Sequence, residues 1–214
     1  MASNLVNRLA YQEIKEIYKS NEMGHLPLTE SSLTLVKDCS STVAQYQFDL
    51  LNTEGSPKSW EVRLSQSDSF WITSWALYLG FGSASDTDET ELYTYPAEIF
   101  SSAFQDYYTV YNSTLNVSVN NDRILQDYDT HKFLYIPSTQ RLSSSANQNF
   151  NETGGVNDIT QYLASYIQLN GAKKNIISLD MPGSIAAPES NSFVVLKLFG
   201  IVCIGGSIFN TYSN

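Results

Sequence analysis

After Pro27 the chain breaks into short runs of aromatic and β-branched residues with polar turns at intervals of roughly ten residues. That cadence restricts the fold more than any other feature. Residues 33–36, 46–51, 60–64 and 70–79 read as strands, and 52–57 (Asn-Thr-Glu-Gly-Ser-Pro) reads as a turn between two of them. The clearest local signal is a hairpin. Leu115, Val117 and Val119 alternate with Asn116 and Ser118, and Asn120-Asn121-Asp122 supplies residues that tolerate positive φ. Ile124 and Leu125 begin the return strand, residues 133–136 read as another strand before Pro137, and 176–179 and 193–204 close the chain. The last run is apolar enough for the centre of a sheet. Such a series predicts a mainly β fold, a jelly roll or related β-sandwich.

Helical spacing is convincing only near the start. Val6, Ala10, Ile14 and Ile17 recur at three- and four-residue steps, with Leu9 and Tyr18 widening the stripe, so 4–21 is expected to form an amphipathic helix. Ser3 or Asn4 suits its N-cap and Gly24 its stop. The expected organisation is a helical arm over 1–25 and a single β-sandwich domain over 26–214. The arm packs either on its own domain or on a neighbouring subunit. Residues 158–169 offer a second, shorter helical pattern through Ile159, Leu163, Tyr166 and Ile167, and 138–155 is a long polar loop.

Charged residues are only 16% of the chain, against roughly 25% in an average soluble domain. Tyr occurs 14 times, and Ser, Thr, Asn and Gln fill the remaining polar positions, a profile suited to ordered loops and protein–protein contacts. With 12 basic and 22 acidic residues the net charge is −10, and the longest basic cluster is Lys173-Lys174. Phosphate neutralisation needs more than that, so direct nucleic-acid binding is not expected. No leader-like N-terminus is read, and the run 193–204 is too short to span a bilayer and is broken by Lys197 and Gly200. Synthesis in a cytoplasm is the expectation.

Groups that carry chemistry are sparse. Cys39 and Cys203 lie far apart in the chain, and Cys203 falls in an apolar run; the alternatives are buried free thiols, a bridge between them or a reactive thiol. His25 and His131 are the only histidines. Asp127, Asp129 and His131 alternate and would share one face of a strand, a weak candidate for a metal site. Asp86, Asp88 and Glu89, within the acidic loop at 82–91, are candidates for Ca²⁺, although the glycine and ligand period of an EF-hand are missing. No GxSxG, P-loop or HExxH occurs, so no catalytic residues and no cofactor are expected. Trp60, Trp71 and Trp75, with Tyr107, Tyr108 and Tyr111, fit either a packed core or a sugar-stacking platform. Trp71 and Trp75 share strand parity and are expected to face inward together. Val6, Leu9, Ile14, Ile17, Tyr107 and Tyr108 are the candidates for contacts with other subunits.

Three stretches carry a resemblance: YNSTLNVSV at 111–119, FLYIPSTQ at 133–140 and FVVLKLFGIVCIG at 193–205. In these the second half of the chain resembles virion structural proteins of bacteriophages of the jelly-roll kind. The resemblance implies a small capsid, vertex (penton) or decoration protein located in the virion, partnered by copies of itself and by other capsid proteins, and oligomeric. It carries over no catalytic residue. The reading from a different class is a glycan- or receptor-binding β-sandwich module of a fibre or adhesin.

Overall fold

The computed structural model describes residues 2–39, 42–82, 91–96, 104–136, 159–186, 188 and 191–209, with side chains from Arg8 onward and without those of 104–105. It is mainly β, with two antiparallel sheets. Sheet A holds β1 (Leu28–Asp38), β9 (Ser192–Cys203), β3 (Ser69–Phe81), β4 (Glu91–Tyr93) and β7 (Gln161–Asn170). Its order is β1-β9-β3, after which the far edge of β3 is shared: β7 pairs with 69–75 and β4 with 79–81. Sheet B has the order β2-β8-β5-β6, formed by β2 (Gln45–Phe48), β8 (Asn175–Asp180), β5 (Thr114–Val119) and β6 (Asp122–Asp129).

The pairings nest. β1 lies antiparallel to β9 from Leu28↔Cys203 to Asp38↔Phe193, β2 to β8 through Tyr46↔Leu179, β3 to β7 through Phe70↔Leu169, and β5 to β6 through Leu115↔Tyr128. The innermost pair is the hairpin legible in the sequence. Leu115, Val117 and Val119 are buried on alternate positions, and Asn120 and Asn121 take φ of 53° and 72°, as a primed two-residue turn requires.

Alternation buries one face of each sheet against the other. Leu33 and Leu35 of β1, Ile72, Trp75 and Leu77 of β3, and Leu196 and Leu198 of β9 meet Phe48, Leu115, Val117 and Ile177 of sheet B in one apolar cluster. The outer face of sheet A also carries apolar clusters, among polar side chains such as Glu30 and Lys197. Helix α1 (Ala2–Ser20) lies there on its own chain, and Ala10, Ile14 and Tyr18 form a second cluster with Trp71, Ile201 and Cys203. A third, with Val36, Ala76, Tyr78 and Val195 from the sheet, has Ile159 and Phe193 as further members and Trp60 packed against it.

One irregularity lets β3 serve both faces. The register of β3 against β9 shifts between Ile72 and Ser74, leaving Thr73 as an extra residue, and side-chain parity inverts across it. Trp75 therefore enters the core between the sheets while Trp71 faces α1; the expectation that both point inward is corrected here. Opposite the bulge stands Gly200, where a Cβ would lie 1.8 Å from the Trp71 carbonyl oxygen, so only glycine fits.

Three further expectations are corrected. Residues 161–170 form strand β7 rather than a helix: β7 carries extra residues between Tyr162 and Ile167 where it passes the β3 bulge, which breaks the period of two and mimics a helical one. Residues 60–64 make only isolated bridges, Thr34↔Val62 on the edge of β1 and Leu51↔Leu64 beyond β2. Phe133 closes the 3-10 helix Thr130–Phe133, and residues 134–136 are not strand.

Candidate functional site

The alternating Asp127, Asp129 and His131 do not converge. β6 ends at Asp129, and its pairing to β5 slips twice, between Leu115 and Val117 and again between Val117 and Ser118. Asp127 sits at φ 54°, its N–H donated to Asn116 Oδ1 at 2.9 Å. Asp129 caps the 3-10 helix, its Oδ1 accepting from the His131 N–H at 2.9 Å. A carboxylate committed to a cap and a turned backbone remove the common face that the strand period suggested. Asp86, Asp88 and Glu89 lie outside the described residues. Among the described residues no three His, Cys, Asp or Glu side chains group so as to hold a metal ion.

The aromatic candidates are mostly interior. Trp75 is fully buried against Tyr128, with ring centroids 4.9 Å apart, and Tyr111 is fully buried, its hydroxyl donating to the Tyr93 carbonyl at 3.1 Å. Tyr107 is fully buried, with its hydroxyl 2.7 Å from Ser192 Oγ. Trp71 is buried and donates from Nε1 to the Tyr18 hydroxyl at 3.1 Å. A platform built on Trp71 or Tyr107 is thus not available at the surface, and half-buried Trp60 leans edge-on against Phe193.

The contact candidates divide in the same way. Ile14 is fully buried under α1 and Tyr107 in the core, so neither is offered to another subunit, because the chain's own sheet takes the apolar stripe. Ile17 and Tyr108 are partly buried, Leu9 is 57% exposed, and the Val6 side chain lies outside the described residues. Cys39 belongs to the main core and Cys203 to the cluster under α1, both as buried free thiols, which removes the bridge. Burial pushes the Cys39 thiol up to about 12 and raises that of Cys203, opposite to the shift a reactive thiolate needs.

Among the described residues, two surfaces present varied polar groups. Between α1 and sheet A runs a cleft of about 400 Å³ lined by Arg8, Tyr11, Gln12, Glu30, Thr73, Gly200 and Ile201. It offers a guanidinium, a carboxylate, an amide, a phenol and a hydroxyl beside Gly200 and Ile201. The outer face of sheet B is polar. Gln45 and Gln47 of β2 point outward with Thr114, Asn116 and Ser118 of β5. Asp180 ties them together, accepting from Gln45 Nε2 and, at 2.7 Å, from Asn116 Nδ2.

The pair Glu61 and Arg63, invisible to motif reading, is a buried ion pair: Arg63 Nη2 lies 2.9 Å from Glu61 Oε2, with side chains 4% and 2% exposed. Glu61 also accepts from the N–H groups of Val36 and Lys58, closing the open edge of β1. Its role is structural.

No described helix is long and apolar enough to cross a membrane. Comparison with protein-family models, curated proteins and solved structures finds no match to this chain.

Proposed function

We propose that the chain is a jelly-roll virion structural protein, a small capsid, vertex or capsid-associated subunit of a bacteriophage that works by assembling with copies of itself and with other shell proteins. The observation that carries this reading is the nest of strand pairs. A long two-stranded ribbon rolled over itself sets first strand beside last, second beside second-last and so on inward, which is the jelly-roll order used by viral shell proteins and lectins. With β4 set aside as an addition to the edge, β1·β9, β2·β8, β3·β7 and β5·β6 follow that order. A filled apolar interior, low charge and the three stretches at 111–119, 133–140 and 193–205 support the same reading. Shell subunits act through shape and contact rather than through a reactive site.

Light scattering of the purified protein, with electron microscopy of the same fractions, tests it. Closed trimers, pentamers, hexamers or shell fragments are expected. A strict monomer at high concentration contradicts a self-assembling subunit.

A second reading, a glycan- or receptor-binding module, is favoured by the uncharged amide and hydroxyl groups at Gln45, Gln47, Asn116 and Ser118 on the outer face of sheet B. It predicts a monomer that binds on a glycan array and loses binding on Gln47→Ala.

A further inference from the structure

We propose that helix α1 and the tail at 206–209 form one strap, which lifts from the outer face of sheet A as a unit while the sandwich beneath stays folded. This holds whatever the chain assembles with.

Among the described side chains of α1, Ala10, Ile14 and Tyr18 are the fully buried ones, set on Trp71, Ile201 and Cys203. The tail is held by β7. Gln168 and Asn170, both fully buried, donate their amide N–H groups to the Phe209 carbonyl at 3.1 and 2.8 Å, and Asn170 donates also to the Ser207 carbonyl at 2.9 Å. The Ser207 N–H donates to the Ser67 carbonyl at 3.1 Å.

Tyr18 joins the two elements. Its hydroxyl bonds Ser69 Oγ at 2.6 Å and receives the Trp71 Nε1–H, while its ring meets Trp71 on one side and Phe209 on the other, at centroid distances of 6.3 and 5.3 Å. The tail also closes over the thiol beneath: a Cβ on Gly206 would come 2.7 Å from Cys203 Sγ. Each element is thus part of the other's seat, and loss of either uncovers Tyr18, Trp71 and Cys203 together.

At the exit of α1, Glu22 takes φ 63°, a left-handed position that favours glycine, so the closing turn is held against its own preference. Regions closed by few apolar contacts open at lower free energy than the global transition. The two cysteines report on this separately, since Cys203 lies under the strap and Cys39 between the sheets.

The test is the labelling rate of each thiol by a maleimide under native conditions, read by mass spectrometry. In the unaltered chain Cys203 is expected to react at least about tenfold faster than Cys39, because strap opening precedes unfolding. Phe209→Ala and, separately, Ile14→Ala are each expected to speed Cys203 by at least about tenfold further and leave Cys39 unchanged. Ile14→Ala should also speed hydrogen exchange at the Ser207 amide. Equal labelling of the two cysteines in the unaltered chain would overturn the strap, since only global unfolding would then expose Cys203. A Ser207 amide unmoved by Ile14→Ala would show that helix and tail open separately, and would overturn the single unit.

Discussion

Sheet A buries apolar side chains on both faces, but the two faces are closed by different means. The inner face meets an entire second sheet, and Leu35, Trp75, Leu196 and Leu198 interlock there with Phe48, Leu115 and Val117. At one end of the outer face, Trp71, Ile201 and Cys203 are equally out of water, under one helix and one tail. Burial alone does not distinguish Trp71 from Trp75, which stand four residues apart on one strand. The distinction lies in what must move to expose them: for Trp75, one whole hydrogen-bonded sheet from the other; for Trp71, side-chain contacts of a docked helix. Equal burial is therefore not equal stability.

Substitutions sharpen this contrast in order of size. Gly200→Ala should be the most damaging, at more than about 4 kcal/mol, because the new Cβ meets the Trp71 carbonyl oxygen and the central strand has to shift on both faces at once. Denaturant unfolding should show a destabilised or unfolded chain; a stable Gly200→Ala protein would show that the bulge is misplaced. Trp75→Ala should cost about 3–5 kcal/mol in global stability, with one cooperative transition. Ile14→Ala should cost about 2–5 kcal/mol of helix docking, seen as an early loss of helical circular dichroism ahead of the main transition. Coincident transitions for Ile14→Ala and Trp75→Ala would erase the difference between the faces.

Alkali should weaken both faces. Burial raises the folded-state Cys39 thiol from 9.0 to about 12 and the Tyr18 phenol from 10.0 to about 12. A group raised in the folded state contributes stability that is complete below its unfolded value and lost as pH climbs toward the folded one. The denaturant midpoint should then be flat below 9.0 and fall above it as these two groups ionise in the unfolded chain. Tyr18→Phe should remove only its own part of the decline above 10.0, since burial also raises Tyr46, Tyr78, Tyr93 and Tyr111, and should leave the earlier decline. A midpoint that rises through this range would contradict the burial of both groups. The smallest effect belongs to Asp129→Ala, which loses only the cap on the Thr130–Phe133 turn, about 1 kcal/mol, and should touch neither face.

Local chemistry made much of sheet B and the centre of sheet A readable in advance. The 115–119 alternation, the Asn120-Asn121 turn and the apolar 193–204 run each carry their own signal, and each stands as strand or turn in the fold. What stayed hidden depends on pairing between distant segments. Nothing at Thr73 announces a bulge; it arises from the fit of β3 to β9 and β7, and it reverses the side of the sheet on which Trp71 falls. The same fit turned residues 161–170 from an apparent helix into a strand. Asp129 was readable as a carboxylate but not as a cap, because that role depends on where β6 stops. The Glu61–Arg63 pair was illegible because its worth comes from the edge of β1 that it closes, which is distant in sequence.

The nest of strand pairs underlies both the fold and the proposed function, and nuclear Overhauser contacts across the strands of the labelled protein measure it directly. The expected result is four sets of contacts, at Thr34 with Lys197, Tyr46 with Leu179, Phe70 with Leu169 and Leu115 with Tyr128. A spectrum in which any of the first three pairs is replaced by contacts between sequence neighbours, such as β1 with β2 in one sheet, would contradict the rolled ribbon and remove the ground for a shell protein.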